Sequence, residues 1–334
     1  MMMDLLRNVL LLNSSMLIIF EFSIKMKNLL FFFLASIFTY GNAQSYNGPE
    51  SVEYDPITGE YYISNSSNGQ ILKWDGVALT LFVSNVGSGP HGLEIVNNTL
   101  YACSGGRLKG YDLIDGAEVL NYNLNGSFLN GISHSNEALY ISDFSTKRLY
   151  KYDLLNNSHE LVCTFQKTPN GVYYDEINDR LFVVCWGNNA PIYEVDFSMS
   201  SYTSILNTGL GNLDGITMDD CGFFYVSAWS NNSIYRYSPD FTDAQQVVSN
   251  LSNPADIYYN QVEDVLAIPN SNNNTVVYLP LDLCSPNTSL NEVLVHKRII
   301  ETKDILGRST EPLPFTPLID VYDDGSLQKR IIIE

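Results

Sequence analysis

The stretch LDGITMDDCGFFYVSAWSNNSIYRYSPDFTDAQQVV, residues 213–248, carries the pattern that decides the fold. Short runs rich in aromatic and β-branched residues alternate apolar with polar side chains, and clusters of Gly, Asn, Asp and Ser separate the runs. The pattern predicts strands over residues 215–218, 223–228 and 234–237, with a fourth strand near residues 246–248. The stretch has no helical periodicity, so it is expected to form a small antiparallel sheet.

The same unit starts six times, at intervals of about 40 residues. Four short strands in a unit of this length form one blade of a β-propeller. The sequence therefore predicts an all-β fold, a six-bladed β-propeller with a short β-rich C-terminal tail. The six openings are Pro49-Glu50-Ser51-Val52, Pro90-His91-Gly92-Leu93, Leu129-Asn130-Gly131-Ile132, Pro169-Asn170-Gly171-Val172, Leu213-Asp214-Gly215-Ile216 and Pro254-Ala255-Asp256-Ile257.

The sixth repeat lacks a clear fourth strand, although a propeller must close if its terminal blades are not to expose sheet edges. We expect residues 44–47 to supply an outer strand to this blade, and the segment after Cys284 is the alternative. These expectations divide the chain into an N-terminal extension with a signal peptide (1–43), the propeller (44–285) and a C-terminal segment (286–334).

The charge and the cysteines limit the classes of partner and cofactor. A formal net charge of −19 over 334 residues argues against nucleic acid as a partner, because phosphate backbones need a basic surface. No two of the five cysteines form a CxxC pair, which argues against a zinc knuckle or a redox motif. One disulfide is compatible with a location outside the cell, and the odd number leaves at least one thiol unpaired within the chain.

The N-terminus has the features of a secretory signal peptide. A short basic start at Met26-Lys27-Asn28 precedes an apolar stretch over residues 29–38, and Gly41-Asn42-Ala43 is a small-residue cleavage site. A second apolar stretch lies within residues 1–25. It is explained either by a start codon assigned too early, with Met26 as the true start, or by a long signal or anchor helix. We expect the mature protein to be secreted or to lie at the cell surface.

The repeat register predicts a ring of polar side chains at one mouth of the central channel. The residue after each opening Pro or Leu belongs to this ring. Carboxylate and amide oxygens are hard ligands that suit calcium, magnesium or manganese. Two acids in such a ring would repel each other without a cation between them. The ring consists of Glu50, His91, Asn130, Asn170, Asp214 and Ala255.

These openings resemble the senescence marker protein (regucalcin), gluconolactonase and luciferin-regenerating enzyme family of six-bladed propellers. The resemblance runs from residue 49 to about residue 280 and rests on residues 50–59, Asn170-Gly171, Asp214-Gly215 and Ala228-Trp229. It implies that Glu50, Asn170 and Asp214 bind one divalent cation, with Asn130 near it. Calcium is the first choice, and zinc, magnesium or manganese are alternatives. The family places arginines around its sugar-lactone pocket, and Arg107 and Arg148 are only weak candidates for them here.

The resemblance implies a gluconolactonase-like, metal-dependent hydrolase acting on a small lactone or a related ester. A cation would polarise the carbonyl group, and Asp214, His91 or Asp143 would take the proton from water. Phe144, Trp186 and Trp229 follow second strands and are expected to line the substrate pocket.

Other interpretations of the same residues stay open. The Asn-Gly and Asp-Gly pairs are common in turns, His91 suits a hydrogen-bonded channel residue, the two tryptophans suit packing between blades, and Asp143 suits a turn. The alternative function is a non-catalytic propeller of the NHL kind that binds carbohydrate, peptide or protein partners at the cell surface.

The C-terminal segment alternates apolar and charged residues, so it is expected to form a small β unit. Residues 297–308 and 321–326 resemble the sorting signal of the type IX secretion system of Bacteroidetes. This resemblance implies export through the outer membrane, with the type IX machinery and cell-surface components as partners.

Overall fold

The computed structural model describes residues 44–281, 299–304, 308–310, 317–322 and 327–331. The chain divides into two units, residues 1–284 and 285–334. The predicted signal peptide in residues 1–43 lies outside the described residues, as do residues 282–298 at the start of the segment that was the alternative source of an outer strand. No described helix is long and apolar enough to cross a membrane.

The first unit is a six-bladed β-propeller, as predicted. Blades 1 to 3 each contain four antiparallel strands in chain order. These strands are β1 (Pro49–Asp55), β2 (Glu60–Asn65), β3 (Gln70–Trp74), β4 (Leu79–Val83), β5 (Leu93–Val96), β6 (Thr99–Ser104), β7 (Arg107–Asp112), β8 (Glu118–Asn123), β9 (Leu129–His134), β10 (Ala138–Asp143), β11 (Arg148–Asp153) and β12 (Ser158–Thr164).

Blades 4 and 5 also have four strands, and the described part of blade 6 has three. A single 3₁₀ turn, Trp229–Asn231, interrupts blade 5 where the sequence predicts a loop. The strands are β13 (Thr168–Asp175), β14 (Arg180–Trp186), β15 (Pro191–Asp196), β16 (Ser201–Asn207), β17 (Leu213–Met218), β18 (Phe224–Ala228), β19 (Ser233–Tyr237), β20 (Ala244–Val248), β21 (Tyr258–Asn260), β22 (Val265–Asn270) and β23 (Thr275–Pro280).

The first strand of each blade lies at the centre of the propeller. Each of them contacts the first strands of both neighbouring blades, and β21 of blade 6 contacts β1 of blade 1, so the ring is closed. The observed strands of blade 5 match the four that the alternating pattern predicts. The tight turn between β17 and β18 is held by the Asp219 carboxylate, which accepts hydrogen bonds from the backbone of Cys221 and Phe223 at 2.9 Å each.

Closure between blades 6 and 1 uses side chains, and the prediction of an outer strand over residues 44–47 is wrong. This segment instead lies against the loop after β2, where the Asn47 amide donates to the Asn65 side chain at 3.0 Å. The Tyr61 hydroxyl donates to Glu263 across the junction at 2.6 Å, and the rings of Trp74 and Tyr278 stack at 4.4 Å. Residues 44–47 therefore form no strand, and the Tyr46 side chain packs against the apolar cluster between blades 6 and 1.

Apolar side chains on facing blades form the core. Between blades 4 and 5, the buried rings of Phe182 and Phe224 lie 4.8 Å apart, and Phe241 stacks on Phe224 at 4.6 Å. Such aromatic contacts add about 0.5–1.5 kcal/mol to the effect of area burial.

The cysteines serve two roles. Cys103, Cys163 and Cys185 are free and buried, in blades 2, 3 and 4 respectively. Cys221 is disulfide-bonded. The sequence left a disulfide open as one possibility, and the three free thiols behave as small apolar residues of the core.

The second unit contains a three-stranded antiparallel sheet in the order β24 (Ile299–Asp304), β25 (Pro317–Tyr322) and β26 (Leu327–Ile331). The prediction of a small β unit in the C-terminal segment is confirmed.

Candidate functional site

The glycine in four of the six openings is required by close contact between blades. None of the four has a positive φ, so they are not turn glycines. A Cβ added to Gly131 would lie 2.3 Å from the backbone oxygen of Asn170, and one added to Gly171 would lie 2.3 Å from that of Asp214. Gly92 and Gly215 meet the next blade in the same way, at 2.2 and 2.4 Å. The interpretation of these pairs as turns is therefore wrong.

This contact brings the residue before each glycine into one ring at the start of the inner strands. Glu50, Asn130, Asn170 and Asp214 are all buried there, on β1, β9, β13 and β17. The backbone amide of Asp256, beside Ala255, donates to the Glu50 backbone oxygen at 2.8 Å and completes the ring between blades 6 and 1. The openings of neighbouring blades therefore lie side by side around the channel.

Two carboxylate oxygens in this ring lack partners. Oε2 of Glu50 and Oδ1 of Asp214 accept no hydrogen bond, and the two residues are only 7% and 6% exposed. Burial raises the pKa of Glu50 well above its usual value, and the charges of Asp214 and Asp256 raise it further. Since a buried charge without a partner is costly, the two oxygens create a site that a cation would stabilise.

Asn170 lies against the Asp214 carboxylate. Its amide nitrogen donates to the backbone oxygen of Leu213 at 3.3 Å. Burial and the charge of Asp256 raise the pKa of Asp214, and the hydrogen bond with Asn170 lowers it. Within the described residues, no three His, Cys, Asp or Glu side chains form a group that could hold a metal ion. A cation here would therefore need amide oxygens, from Asn130 and Asn170, besides the two carboxylates.

Asp256 is a residue of the site that the sequence analysis missed. Its carboxylate accepts a hydrogen bond from the Ser51 hydroxyl at 2.9 Å, and the Ser51 oxygen accepts one from the Leu93 amide at 3.1 Å. Burial raises the pKa of Asp256 to about 7. The charge of Glu94 also raises this pKa, whereas the hydrogen bond from Ser51 lowers it. The signal was present, because Asp256 occupies the position that is glycine in four other openings.

His91 remains close to the channel mouth, and its ring is neutral. Burial lowers the pKa of His91 to about 4, and its Nδ1 atom is buried without a hydrogen-bond partner. The ring contacts Phe128 edge-on, with centroids 4.6 Å apart. The alternative of a hydrogen-bonded channel residue does not describe this nitrogen.

Asp143 is a loop anchor, as its turn interpretation proposed. Its buried carboxylate accepts hydrogen bonds from the backbone amides of Ser127, Phe128, Ser145 and Thr146 at 2.8 to 3.2 Å. Burial raises its pKa, but these hydrogen bonds outweigh burial and leave the pKa below the usual value. Since both oxygens are engaged, we remove Asp143 from the candidate proton acceptors.

The three predicted pocket aromatics lie together, half-buried. The ring centroids of Phe144 and Trp186 are 5.7 Å apart, and those of Trp186 and Trp229 are 5.4 Å apart. Phe128, which the sequence analysis missed, extends this row because its ring lies 5.2 Å from that of Phe144. Phe128 directly precedes an opening, and this position was the available signal.

A cavity of about 830 Å³ lies at the other ends of the inner strands. Its described lining includes eight acidic side chains but only one arginine, Arg180, which pairs with Asp175 at 2.7 Å. Nδ1 of His134 lies 2.6 Å from Glu94 in this lining. Glu50 and Asp214 do not line it, so the cavity is separate from the predicted cation ligands. Asp256 lines the cavity, and its charge also raises the pKa of Glu50 at the opposite end of the inner strands.

Comparisons with known proteins identify the fold. No family model matches the chain, and no curated protein matches it. Among solved structures, a nidogen/laminin complex aligns with 14% identity and a TM-score of 0.59, over 67% of this chain and 90% of that chain.

Two bacterial structures are also similar. A catalytically inactive variant of virginiamycin B lyase from Staphylococcus aureus with quinupristin has 13% identity and a TM-score of 0.52, over 88% of this chain and 97% of that chain. An auxiliary nutrient binding protein from Bacteroides thetaiotaomicron has 10% identity and a TM-score of 0.57, over 70% of each chain. At these identities the likeness concerns the fold alone, and the chain is a six-bladed β-propeller.

Proposed function

We propose that the channel mouth binds one divalent cation and that the protein is a metal-dependent hydrolase of lactones or related esters. The observation that carries the proposal is the pair of unpartnered, buried carboxylate oxygens of Glu50 and Asp214, which belong to blades far apart in the chain. The charge of Asp214 raises the pKa of Glu50, so the two groups are close enough to interact.

The donor set suits a hard cation. Two carboxylates, with the amide oxygens of Asn130 and Asn170, form an all-oxygen set, which favours calcium. Zinc, magnesium and manganese are the alternatives. When bound, the cation would polarise a carbonyl group of the substrate. Partial burial lowers the pKa of His91 and favours its neutral form, which accepts a proton from water, and Asp214 is the second candidate for this role.

The alternative function is a binding module of the NHL kind without catalysis. The similar structures include a nidogen/laminin complex and a nutrient binding protein as well as a lyase, so the fold is compatible with either role. The row of half-buried aromatic rings also provides contact area for a carbohydrate, peptide or protein ligand.

We also propose that the protein is secreted or held at the cell surface. The signal-peptide pattern and the tail that resembles a type IX sorting signal support this location. The disulfide of Cys221 is compatible with an oxidising compartment.

Metal binding tests the proposed site directly. We expect isothermal titration calorimetry of calcium into the metal-free full chain to give one site per molecule. Asp214→Asn and Glu50→Gln should each weaken calcium binding at least tenfold, because each removes a charged ligand. Glu118→Gln, which removes an exposed charge that pairs with Lys109, is the control and should bind as the parent does. Unchanged calcium affinity in both site variants would contradict the ligand set.

Turnover decides between hydrolase and binding module. A panel of aliphatic, sugar and aryl lactones should be hydrolysed by the calcium-loaded protein and not after chelation. Stoichiometric calcium without hydrolysis of any lactone or ester would favour the binding module.

A further inference from the structure

The rim of the channel mouth is divided into two halves. We call rim residues the six residues in equivalent positions at or directly after the end of each blade's second strand. In blades 3, 4 and 5 they are large and aromatic, whereas in blades 6, 1 and 2 they are serine or glycine. The register of the first two strands makes them equivalent: Phe144, Trp186, Trp229, Ser271, Ser66 and Gly105.

The aromatic half of the rim is continuous. His91, Phe128, Phe144, Trp186 and Trp229 form a row in which successive ring centroids lie 4.6, 5.2, 5.7 and 5.4 Å apart. We call this row the aromatic arc. Every ring in it is half-buried and keeps part of its surface in solvent. The arc begins beside the ring of oxygen donors, since His91 is the blade 2 equivalent of Glu50.

The two arginines that the sequence offered for a sugar-lactone pocket bond elsewhere. The guanidinium of Arg107 bonds the Asn121 side chain and donates to the Asn121 backbone oxygen at 2.7 Å, on the outermost strand of blade 2. Arg148 bonds the Tyr150 hydroxyl at 3.4 Å, within its own strand β11. A polyhydroxylated ring needs many donors and acceptors, because each unpaired polar group carries a desolvation penalty. A continuous row of rings offers apolar contact instead.

We propose that the aromatic arc binds an aryl group of the ligand, so that the preferred substrates are aryl lactones or aryl esters and not sugar lactones. The placement of the carbonyl group beside Glu50 and Asp214 rests on the proposed function. Binding of the aryl group to the arc does not, because it requires only the rings.

Intrinsic fluorescence tests this inference with few changes. The chain has three tryptophans, and two of them belong to the arc. In a Trp74→Phe background, Trp186 and Trp229 are therefore the only indole reporters. The probes are an aryl lactam, 3,4-dihydroquinolin-2-one, and a sugar lactam, gluconolactam, since a lactam resists hydrolysis and separates binding from turnover.

We expect the aryl lactam to quench the fluorescence saturably and to bind at least tenfold more tightly than the sugar lactam. Phe144→Ala should weaken binding of the aryl lactam about tenfold, as expected for the loss of one aromatic contact. Phe144→Tyr keeps the ring and should restore the affinity, which separates loss of contact from misfolding. Phe223→Leu, a half-buried aromatic outside the arc, is the matched control and should leave the affinity unchanged.

Equal or tighter binding of the sugar lactam, no saturable quenching by the aryl lactam, or no effect of Phe144→Ala would each overturn the inference. Hydrolysis of the aryl lactone dihydrocoumarin gives the separate readout for the proposed function. Tight aryl binding without calcium-dependent hydrolysis leaves the inference standing and contradicts the hydrolase. Calcium-dependent hydrolysis at an unchanged rate in Phe144→Ala would support the hydrolase and contradict binding of the aryl group to the arc.

Discussion

Single carboxylates in this protein have opposite environments, and the environment decides their role. Asp143 accepts four backbone hydrogen bonds and has a lowered pKa, whereas Glu50 and Asp214 keep unpartnered oxygens and have raised pKa values. A carboxylate of the first kind stabilises a loop. Carboxylates of the second kind cost stability unless a cation offsets their charge, which is typical of a binding site.

Asp143→Asn should destabilise the protein by about 1–3 kcal/mol at pH 7, because backbone amides lose a charged acceptor. A lowered pKa in the folded state means that the carboxylate stabilises above its usual pKa of about 4, and that this stability is lost as the pH falls through the folded value. The difference between variant and parent should therefore shrink below about pH 4.

Urea unfolding at several pH values measures this difference. Asp153→Asn is the matched control. Asp153 accepts hydrogen bonds from two backbone amides of an exposed turn, at 2.9 and 2.8 Å, so its substitution should lower the free energy of unfolding less. Equal losses in the two variants at neutral pH would contradict the role of Asp143 as a buried loop anchor.

At the scale of elements, the inner strands define the site because their backbones touch. The glycine of each Asx-Gly opening lets the next blade approach, and the preceding side chain then lies in the ring. Residue type alone did not separate this packing role from a turn, because glycine is common in both. Periodicity predicted the strands of the repeats because alternation reflects burial on the two faces of a sheet.

Gly171→Ala tests this contact. The new Cβ would lie 2.3 Å from the Asp214 backbone oxygen, so blades 4 and 5 must separate locally. We expect a loss of about 1–3 kcal/mol in urea unfolding, as for overpacking in a core, together with weaker calcium binding because Asp214 moves. Gly211→Ala is the control, since its Cβ would lie 3.3 Å from the Ser230 Cβ, a contact that needs a shift of only a few tenths of an ångström. A variant with parental stability and parental calcium affinity would contradict the role of this contact in positioning Asp214.

At the scale of the whole molecule, what the sequence could not predict lies where chain segments meet. Closure between blades 6 and 1 depends on Tyr61, Glu263 and the stack of Trp74 on Tyr278, whose partners are far apart in the chain. Asp256 was missed for a similar reason, since its role depends on Ser51, which is adjacent in the closed ring but 205 residues away in the chain. Local patterns predict local elements, and contacts between distant residues decide the rest.

Removal of residues 285–334 should leave the propeller folded, because the chain divides at this boundary. We expect the truncated chain to unfold in one cooperative transition with the melting temperature and calcium affinity of the parent. In a Bacteroidetes host the truncated protein should stay in the periplasm if the tail is a sorting signal. Calorimetry and cell fractionation measure the two outcomes, and normal export without the tail would contradict its proposed role.

The buried thiols of Cys103, Cys163 and Cys185 give this propeller three internal reporters of opening, one in each of three consecutive blades. A maleimide cannot alkylate them until their own blade exposes them to solvent. If the closed ring opens as one unit, mass spectrometry should find all three modified at a common rate. Unequal rates would rank the three blades by how often each one opens locally.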